Sequence, residues 1–291
     1  MENTTDITQV IINTINTIFE NLFGSINNNL YSVLDDITFI SSDIMNNKNF
    51  ESIFGTSTYN GILLISNSIL LAFIIYYSAR YLISHLTYSP IESPLNFIIK
   101  LILCGIAMNC SFFILSFILD INSNVSLSIR SLGESLFNKN ICFSELINII
   151  NSNMSIGSSS VNIFSVDGLI HGSLTISLLN LVFTYSFRYI MIKVFILLSP
   201  FAFLSLTNSS TNWFFKSWYR NLFSLLFIQD IVALILLLLF SMDYSSDLFS
   251  KFIYVGGIYS LIKATSFVRD FIGGISTDIS QFVNNFPKIR T

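Results

Sequence analysis

Long apolar runs without charge dominate this sequence and limit what it can fold into. Residues 61–79 contain no charged side chain, and residues 231–240 are apolar throughout. A helix needs about 20 mostly apolar residues to cross the hydrocarbon core of a bilayer. Only 11% of the chain is charged, whereas soluble domains carry about 25% charged residues. The sequence therefore predicts an all-α, polytopic transmembrane protein.

Changes between apolar and polar composition divide the chain into segments. In chain order these are an amphipathic helical segment 1–59, a transmembrane hairpin 60–119, a polar loop 120–168 with short helical patterns, a transmembrane core 169–275 and a tail 276–291. In the first segment apolar residues recur every three or four positions, as at Leu30, Val33 and Ile37, which is helical periodicity. Helices that lie on a membrane surface are usually rich in basic residues, and this segment has only Lys48. We therefore expect its apolar face to pack against protein.

The number of spans depends on residues 169–206, which fit either one long tilted helix or a tight hairpin of two helices. Lys and Arg favour cytoplasmic loops. If this stretch crosses once, most of the 14 Lys and Arg lie on the cytoplasmic side, and the outer side holds Lys48, Arg130, Lys139 and Lys251. A hairpin would move further cations outside. The distribution predicts five spans, with the N-terminus outside and the C-terminus inside, so that segments 1–59 and 120–168 face outward.

Asp230 is the most unusual residue of the transmembrane core, because it lies beside Gln229 near the middle of an apolar span. Ionisable groups at bilayer depth are costly, and they mark functional positions. Arg188 and Lys193 in the preceding span are its candidate partners. Three roles stay open for Asp230: a structural ion pair or hydrogen bond between helices, a group lining a water-filled path, and a proton-coupling carboxylate.

A stripe of small polar residues precedes Arg188 on one face of the same predicted helix. Its members are Ser173, Ser177, Asn180 and Thr184. Small polar residues on one helix face often make helix–helix contacts in membranes. The alternative is a stripe that faces the lumen of an oligomeric pore, and the two roles are compatible if the helix lies at a subunit interface.

The stretch from Arg188 to Phe240 combines a basic residue in a long helix, a Ser199-Pro200 pair near the helix end, a short polar link with Thr211, and an aromatic segment with Trp218. In these features residues 170–275 resemble the TrbL/VirB-six family, the polytopic inner-membrane channel subunits of type IV secretion and conjugation systems. The resemblance implies a non-enzymatic, oligomeric subunit of the bacterial cytoplasmic membrane without a cofactor. It implies as partners further copies of the chain, an outer stalk or pilus-tip protein, cytoplasmic ATPases, and transient DNA or protein cargo.

Other functions are less compatible with the sequence. It lacks the clustered basic surface that strong autonomous binding to nucleic acid requires. Its two histidines, His85 and His171, are far apart, and its cysteines have no Cys-x-x-Cys spacing, so neither a metal site nor an enzyme is expected. The main alternative is an ion-coupled secondary transporter that uses Asp230 with Arg188 or Lys193, although the internal repeats typical of transporters are not evident.

Overall fold

The computed structural model of the chain describes residues 29–55, 61–88, 93–153, 166–208, 210–242 and 248–273, together with positions 10, 11, 14 and 17. Across these residues about 89% of the positions are helical and no strand occurs. The all-α prediction is therefore confirmed for this part of the chain. The tail 276–291 and most of residues 1–28 lie outside the described residues.

The helices of the described part are α1 Asn29–Thr38, α2 Lys48–Phe54, α3 Ile62–Thr87, α4 Pro94–Asn109, α5 Ser111–Phe137, α6 Phe143–Asn153, α7 Val166–Leu197, α8 Ser199–Leu204, α9 Asn212–Phe240 and α10 Leu248–Ile272. Single 3-10 turns lie at Ser42–Met45 and Ser205–Thr207. Among the residues that the structure describes, four stretches are long and apolar enough to cross a membrane: Ile62–Thr87, Ser111–Phe137, Gly172–Leu197 and Asn212–Phe240. Their length and composition are those of a multi-pass membrane protein.

The predicted boundary between the transmembrane hairpin 60–119 and the polar loop 120–168 falls inside a helix of the structure. The apolar helix is interrupted at Cys110, and α5 then continues through much of the stretch predicted as a polar loop. Polar side chains of α5 form hydrogen bonds while its backbone stays helical. The Ser128 hydroxyl donates to the carbonyl of Asn124 at 2.7 Å, and the Asn122 amide donates to the carbonyl of Leu226 at 3.2 Å. Because these groups are satisfied, a composition rich in Ser and Asn does not mark a loop here.

Residues 169–206 hold one long helix and a short one, rather than a hairpin. Helix α7 runs without a break through Arg188 and Lys193 and ends at Leu197. Pro200 has no N–H to donate to the carbonyl of Ile196, so the long helix cannot continue, and α8 begins after the break. Helix α10, at the end of the predicted transmembrane core 169–275, carries several charged residues and is not one of the four candidate spans.

By compactness the chain divides into two units. The first, here called the Arg188 unit, comprises Met1–Phe39, Ser123–Tyr189 and Phe227–Thr291. The second, here called the Pro200 unit, comprises Ile40–Asn122 and Ile190–Leu226. Within the Arg188 unit α1 packs against α6, and within the Pro200 unit α4 packs against α3 and α8. Both units contain buried apolar side chains, for example Leu181 and Leu236 in the first and Met108 and Leu225 in the second.

Helix α1 packs on protein, as expected, but through a face different from the predicted one. Val33 is exposed, whereas Leu34 and Thr38 are fully buried. Asp35 also points inward, where it accepts hydrogen bonds from Ser144. The apolar pattern misplaces this face because hydrogen bonds, which the pattern does not record, hold two polar residues on the inner side of the helix.

Two adjacent glycines of α10 provide a test of how this helix packs on α9. A Cβ atom at Gly257 would lie 2.5 Å from Leu239 Cδ2, whereas a Cβ atom at Gly256 would have no heavy atom within 4 Å. Alanine is favoured over glycine in helices by about 1 kcal/mol, and overpacking a buried contact costs about 1–3 kcal/mol. We expect Gly256→Ala to raise the free energy of unfolding slightly, and Gly257→Ala to lower it. Thermal unfolding in one detergent measures both, and equal midpoints would contradict the packing.

Candidate functional site

Helix α7 carries the guanidinium of Arg188 into the interior of the Arg188 unit, where the side chain has no exposed surface. Its Nη1 atom donates to the carbonyl of Thr38 at 2.8 Å, and its Nη2 atom donates to Oε1 of Gln229 at 3.4 Å. A buried cation is tolerated only when it is paired and hydrogen-bonded. Arg188 therefore joins α1, α7 and α9 through polar contacts inside an otherwise apolar core.

Gln229 and Asp230 extend this contact along α9. The Gln229 amide nitrogen donates to the hydroxyl of Ser126 on α5 at 3.4 Å. Asp230 is 6% exposed, and the charge of Arg188 acts on it. We call these five residues, Arg188, Thr38, Ser126, Gln229 and Asp230, the Arg188 cluster. It joins four helices of one unit.

Two oxygen atoms of the Arg188 cluster are buried and have no hydrogen-bond partner. They are Oδ1 of Asp230 and the hydroxyl oxygen of Thr38. A buried polar atom without a partner costs about 1–3 kcal/mol, and such atoms in a folded protein call for an explanation. One oxygen belongs to a residue that Arg188 contacts, and the other belongs to a residue on which the Arg188 charge acts. Some of the buried polar atoms in the interior of this unit therefore lack a hydrogen bond.

The structure brings together three of the four intramembrane residues singled out in the sequence. Arg188, Gln229 and Asp230 share the cluster. Lys193 belongs to the Pro200 unit, where its Nζ atom lies 5.8 Å from the centroid of the Phe50 ring. Arg188 lies in the same unit as Asp230, and its charge acts on that carboxyl group.

The polar stripe of α7 does not lie in a single environment. Ser173 is exposed, Ser177 and Asn180 are half-buried, and Thr184 is fully buried. The Thr184 hydroxyl donates to the side-chain oxygen of Asn180 at 3.5 Å. The stripe therefore leads from the exposed Ser173 to the buried Thr184, one turn before Arg188. Its role as a helix contact or as a lumen surface stays a prediction.

A second polar contact fastens α1 to the start of α6. Asp35 accepts hydrogen bonds from the Phe143 amide at 2.8 Å, from the Ser144 amide at 3.3 Å and from the Ser144 hydroxyl at 2.8 Å. The first amides of a helix have no partner within the helix, and a carboxylate also interacts favourably with this end of the helix dipole. Burial raises the pKa of Asp35, while these hydrogen bonds and the charge of Arg130 act in the opposite direction.

Arg130, predicted as a loop cation, is part of the same region of the Arg188 unit. Its Nε atom donates to the carbonyl of Ile141 at 2.7 Å, and its guanidinium lies 4.3 Å from the centroid of the Phe39 ring. A guanidinium over an aromatic face is attracted by the ring quadrupole. Arg130 thus fastens the connection between α5 and α6 to the residue that follows α1.

The four residues of the family-like motif lie in the Pro200 unit and shape the break between α7 and α8. Ser199 and Pro200 are buried at the start of α8. The Trp218 indole donates to the carbonyl of Phe195 at 2.8 Å, and the Thr211 hydroxyl donates to the carbonyl of Ser205 at 2.7 Å. Both carbonyls lie near helix ends, where backbone acceptors lack the usual partner. Side chains from the link and from α9 therefore cap the broken helix.

Replacing Trp218 by Phe should lower the free energy of unfolding by about 1–3 kcal/mol, because the buried Phe195 carbonyl loses its donor. The ring contacts of Trp218 with Phe203 and Phe215, at 5.7 Å between centroids, are kept by the substitution. Trp213 is 68% exposed, so Trp213→Phe is the matched control and should change stability by less than about 0.5 kcal/mol. Thermal unfolding followed by circular dichroism compares the two. Equal effects would contradict the cap.

No protein-family model matches the chain, and neither does any curated protein or solved structure. In the described part of the chain, no group of three or more His, Cys, Asp or Glu side chains could hold a metal ion. The chemistry that the Arg188 cluster offers is of two kinds. Its hydrogen bonds hold helices together in an apolar interior, and its carboxyl group can bind and release a proton.

Proposed function

We propose that this chain is a non-enzymatic channel or scaffold subunit of a type IV secretion or conjugation machine, and that it helps DNA or protein cross the cytoplasmic membrane of a bacterium. The observation that carries the proposal is the capped break between α7 and α8. Ser199, Pro200, Thr211 and Trp218 carry the resemblance to the TrbL/VirB-six family, and all four belong to this one local arrangement. The four candidate spans support the membrane location.

The proposed topology has five spans, with the N-terminus outside and the C-terminus inside. In this arrangement α10 is the fifth span, and residues 138–142 lie outside. Labelling of single cysteines with a membrane-impermeant reagent tests it, after replacement of Cys104, Cys110 and Cys142. We expect Lys139→Cys to react in intact cells and Lys288→Cys to react only after lysis. Reaction of both positions in intact cells would mean that α10 does not cross.

The partners follow from the same proposal. We expect further copies of the chain, an outer stalk or pilus-tip protein and cytoplasmic ATPases in one assembly, with cargo passing through it. Deleting the gene from a conjugative host should abolish transfer, and a tagged wild-type copy should restore it and retain the secretion ATPases during affinity purification. Unchanged transfer in the deletion strain would contradict the proposal. Trp213→Phe serves as the matched variant that should still complement.

The unpartnered carboxylate oxygen of Asp230 favours a second candidate function, an ion-coupled secondary transporter. A buried carboxyl group in an apolar span, beside Arg188, is typical of proton or ion pathways. Reconstitution into vesicles with a pH-sensitive dye separates the candidates. Proton flux that needs this one protein and is lost in Asp230→Asn supports the transporter. Vesicles that stay impermeable to protons, together with copurification of the secretion ATPases, support the secretion subunit.

A further inference from the structure

Helices α3 and α4 of the Pro200 unit lie side by side in opposite directions, and two side-chain contacts define their register. Near the start of α3, the side-chain amides of Asn67 and Asn109 donate to each other's oxygens at 3.1 and 3.3 Å. Ten residues further along α3, the rings of Tyr77 and Phe97 stack with their centroids 3.6 Å apart. We call the two helices the α3–α4 hairpin and the second contact the ring stack.

Between the start of α3 and the ring stack, the hairpin presents a surface suited to acyl chains. All residues of α3 are described, and Ser66 is the only buried one among them. The exposed hydroxyls of Ser68 and Ser78 donate to backbone carbonyls one turn earlier in the helix, at 3.0 and 2.9 Å. Polar groups that are satisfied within a helix can face the hydrocarbon core of a bilayer. This part of the surface therefore does not need a polar partner.

Two exposed cations flank the ring stack, one on each helix. Arg80 lies one turn after Tyr77 on α3, and Lys100 lies one turn after Phe97 on α4. At 1.5 Å per residue, Arg80 is about 27 Å along α3 from Ile62, which is close to the thickness of the hydrocarbon core, about 30 Å. Arg80 therefore lies at the headgroups of one leaflet when Ile62 lies at the other. The long side chain of Lys100 can extend along the apolar surface towards the same headgroups.

The helices of the hairpin carry positive charge and no negative charge. Their ionisable side chains include Arg80, His85 and Lys100, and neither helix contains Asp or Glu. Helix α8, which packs on both, has no charged residue, and α2, which contains Glu51, contacts α3 near its opposite end at Gly61. Among the described residues Arg80 has no hydrogen-bond or ion-pair partner. Its guanidinium is therefore available to an anion at the membrane surface.

We propose that the α3–α4 hairpin binds an anionic phospholipid, with the phosphate on Arg80, a second positive charge from Lys100, and the acyl chains along the apolar surface. The planar guanidinium fits two phosphate oxygens at once. A choline lipid carries its own cation beside the phosphate, so its headgroup as a whole is neutral and is attracted less strongly. The inference uses the membrane location of the apolar helices, and it does not depend on the secretion role.

Native mass spectrometry of the full chain, purified in a mild detergent and mixed with phosphatidylglycerol or phosphatidylcholine, measures the binding of each lipid. The wild type should bind phosphatidylglycerol more tightly. Arg80→Gln and Lys100→Gln should each weaken phosphatidylglycerol binding about fivefold, and the double variant about thirtyfold. The matched control is Lys139→Gln, which removes an exposed cation outside the hairpin and should bind both lipids like the wild type.

Equal binding of the two lipids by the wild type would overturn the proposal, and so would unchanged phosphatidylglycerol binding in the double variant. An equal loss in Lys139→Gln would also overturn it, because the preference would then reflect net charge. Competition by inorganic phosphate would mean a plain anion site and no lipid site. Thermal unfolding gives a second measurement, since a ligand that binds the folded state raises the midpoint. Phosphatidylglycerol should raise the midpoint of the wild type more than that of the double variant, and equal shifts would contradict the site.

Discussion

Replacing Arg188 by Met should lower the free energy of unfolding by about 3–5 kcal/mol, the largest loss expected from a single substitution in the described part of this chain. Met fills a similar volume, so the loss is mainly electrostatic and polar. The carbonyl of Thr38 and the amide of Gln229 lose their donor, and Asp230 is left in an apolar interior without a compensating charge. Thermal unfolding in a mild detergent measures the change, and the amount of protein in the membrane reports it in cells.

The control for Arg188→Met separates charge from packing. Arg220 lies on α9 and is exposed, so Arg220→Met should change stability by no more than about 0.5 kcal/mol. The double variant Arg188→Met/Asp230→Asn removes both charges. Its free energy of unfolding should be substantially higher than that of Arg188→Met alone, because the effects of substitutions at neighbouring residues are not additive. If Arg188→Met were as stable as Arg220→Met, the buried cluster would not exist as described.

Replacing Asp35 by Ala should give the second largest effect, a loss of about 2–3 kcal/mol, since hydrogen bonds to a charged group are worth about 1.5–3 kcal/mol and helix caps about 0.5–2 kcal/mol. The Phe143 and Ser144 amides at the start of α6 lose their acceptor. Asp36, the next residue, is exposed, so Asp36→Ala is the matched control and should be nearly neutral. Hydrogen exchange measures the result directly. Faster exchange of the Phe143 and Ser144 amides is expected only in Asp35→Ala, and unchanged exchange would contradict the contact.

The loss caused by Asp35→Ala should depend on pH in a definite direction. Burial raises the pKa of Asp35, so the folded chain binds this proton more readily than the unfolded chain. A group of this kind contributes most stability below its unfolded pKa, and the contribution is lost as the pH rises through the folded pKa. The difference in unfolding free energy between wild type and Asp35→Ala should therefore shrink as the pH rises. A growing difference would mean that the hydrogen bonds outweigh the burial.

The fold class followed from the sequence because apolar runs near bilayer length leave few alternatives. The break at Cys110 was not foreseen, since neither Gly nor Pro marks it. The helical course of α5 was not foreseen either, because polar residues satisfied inside a helix look the same in sequence as polar residues of a loop. The choice between a hairpin and one long helix at 169–206 was left open by composition, and only the three-dimensional structure decides it.

The site could be predicted only in part, for a physical reason. Arg188, Gln229 and Asp230 stood out because charged and amide groups are rare in apolar spans. Thr38 joins the cluster through its backbone carbonyl, which every residue has, so no side-chain pattern could reveal it. Ser126 and Asp35 lie in polar stretches, where one more Ser or Asp carries no signal. Local composition therefore does not reveal contacts between residues that lie far apart in the sequence.

Crossing of a bilayer by the four apolar helices is tested most directly by washing isolated membranes with alkaline carbonate, which strips peripheral proteins. The chain should stay in the membrane pellet and become soluble only with detergent. Release into the aqueous phase as a single monodisperse species would contradict burial of these helices in lipid, and with it the topology and the secretion role proposed for the chain.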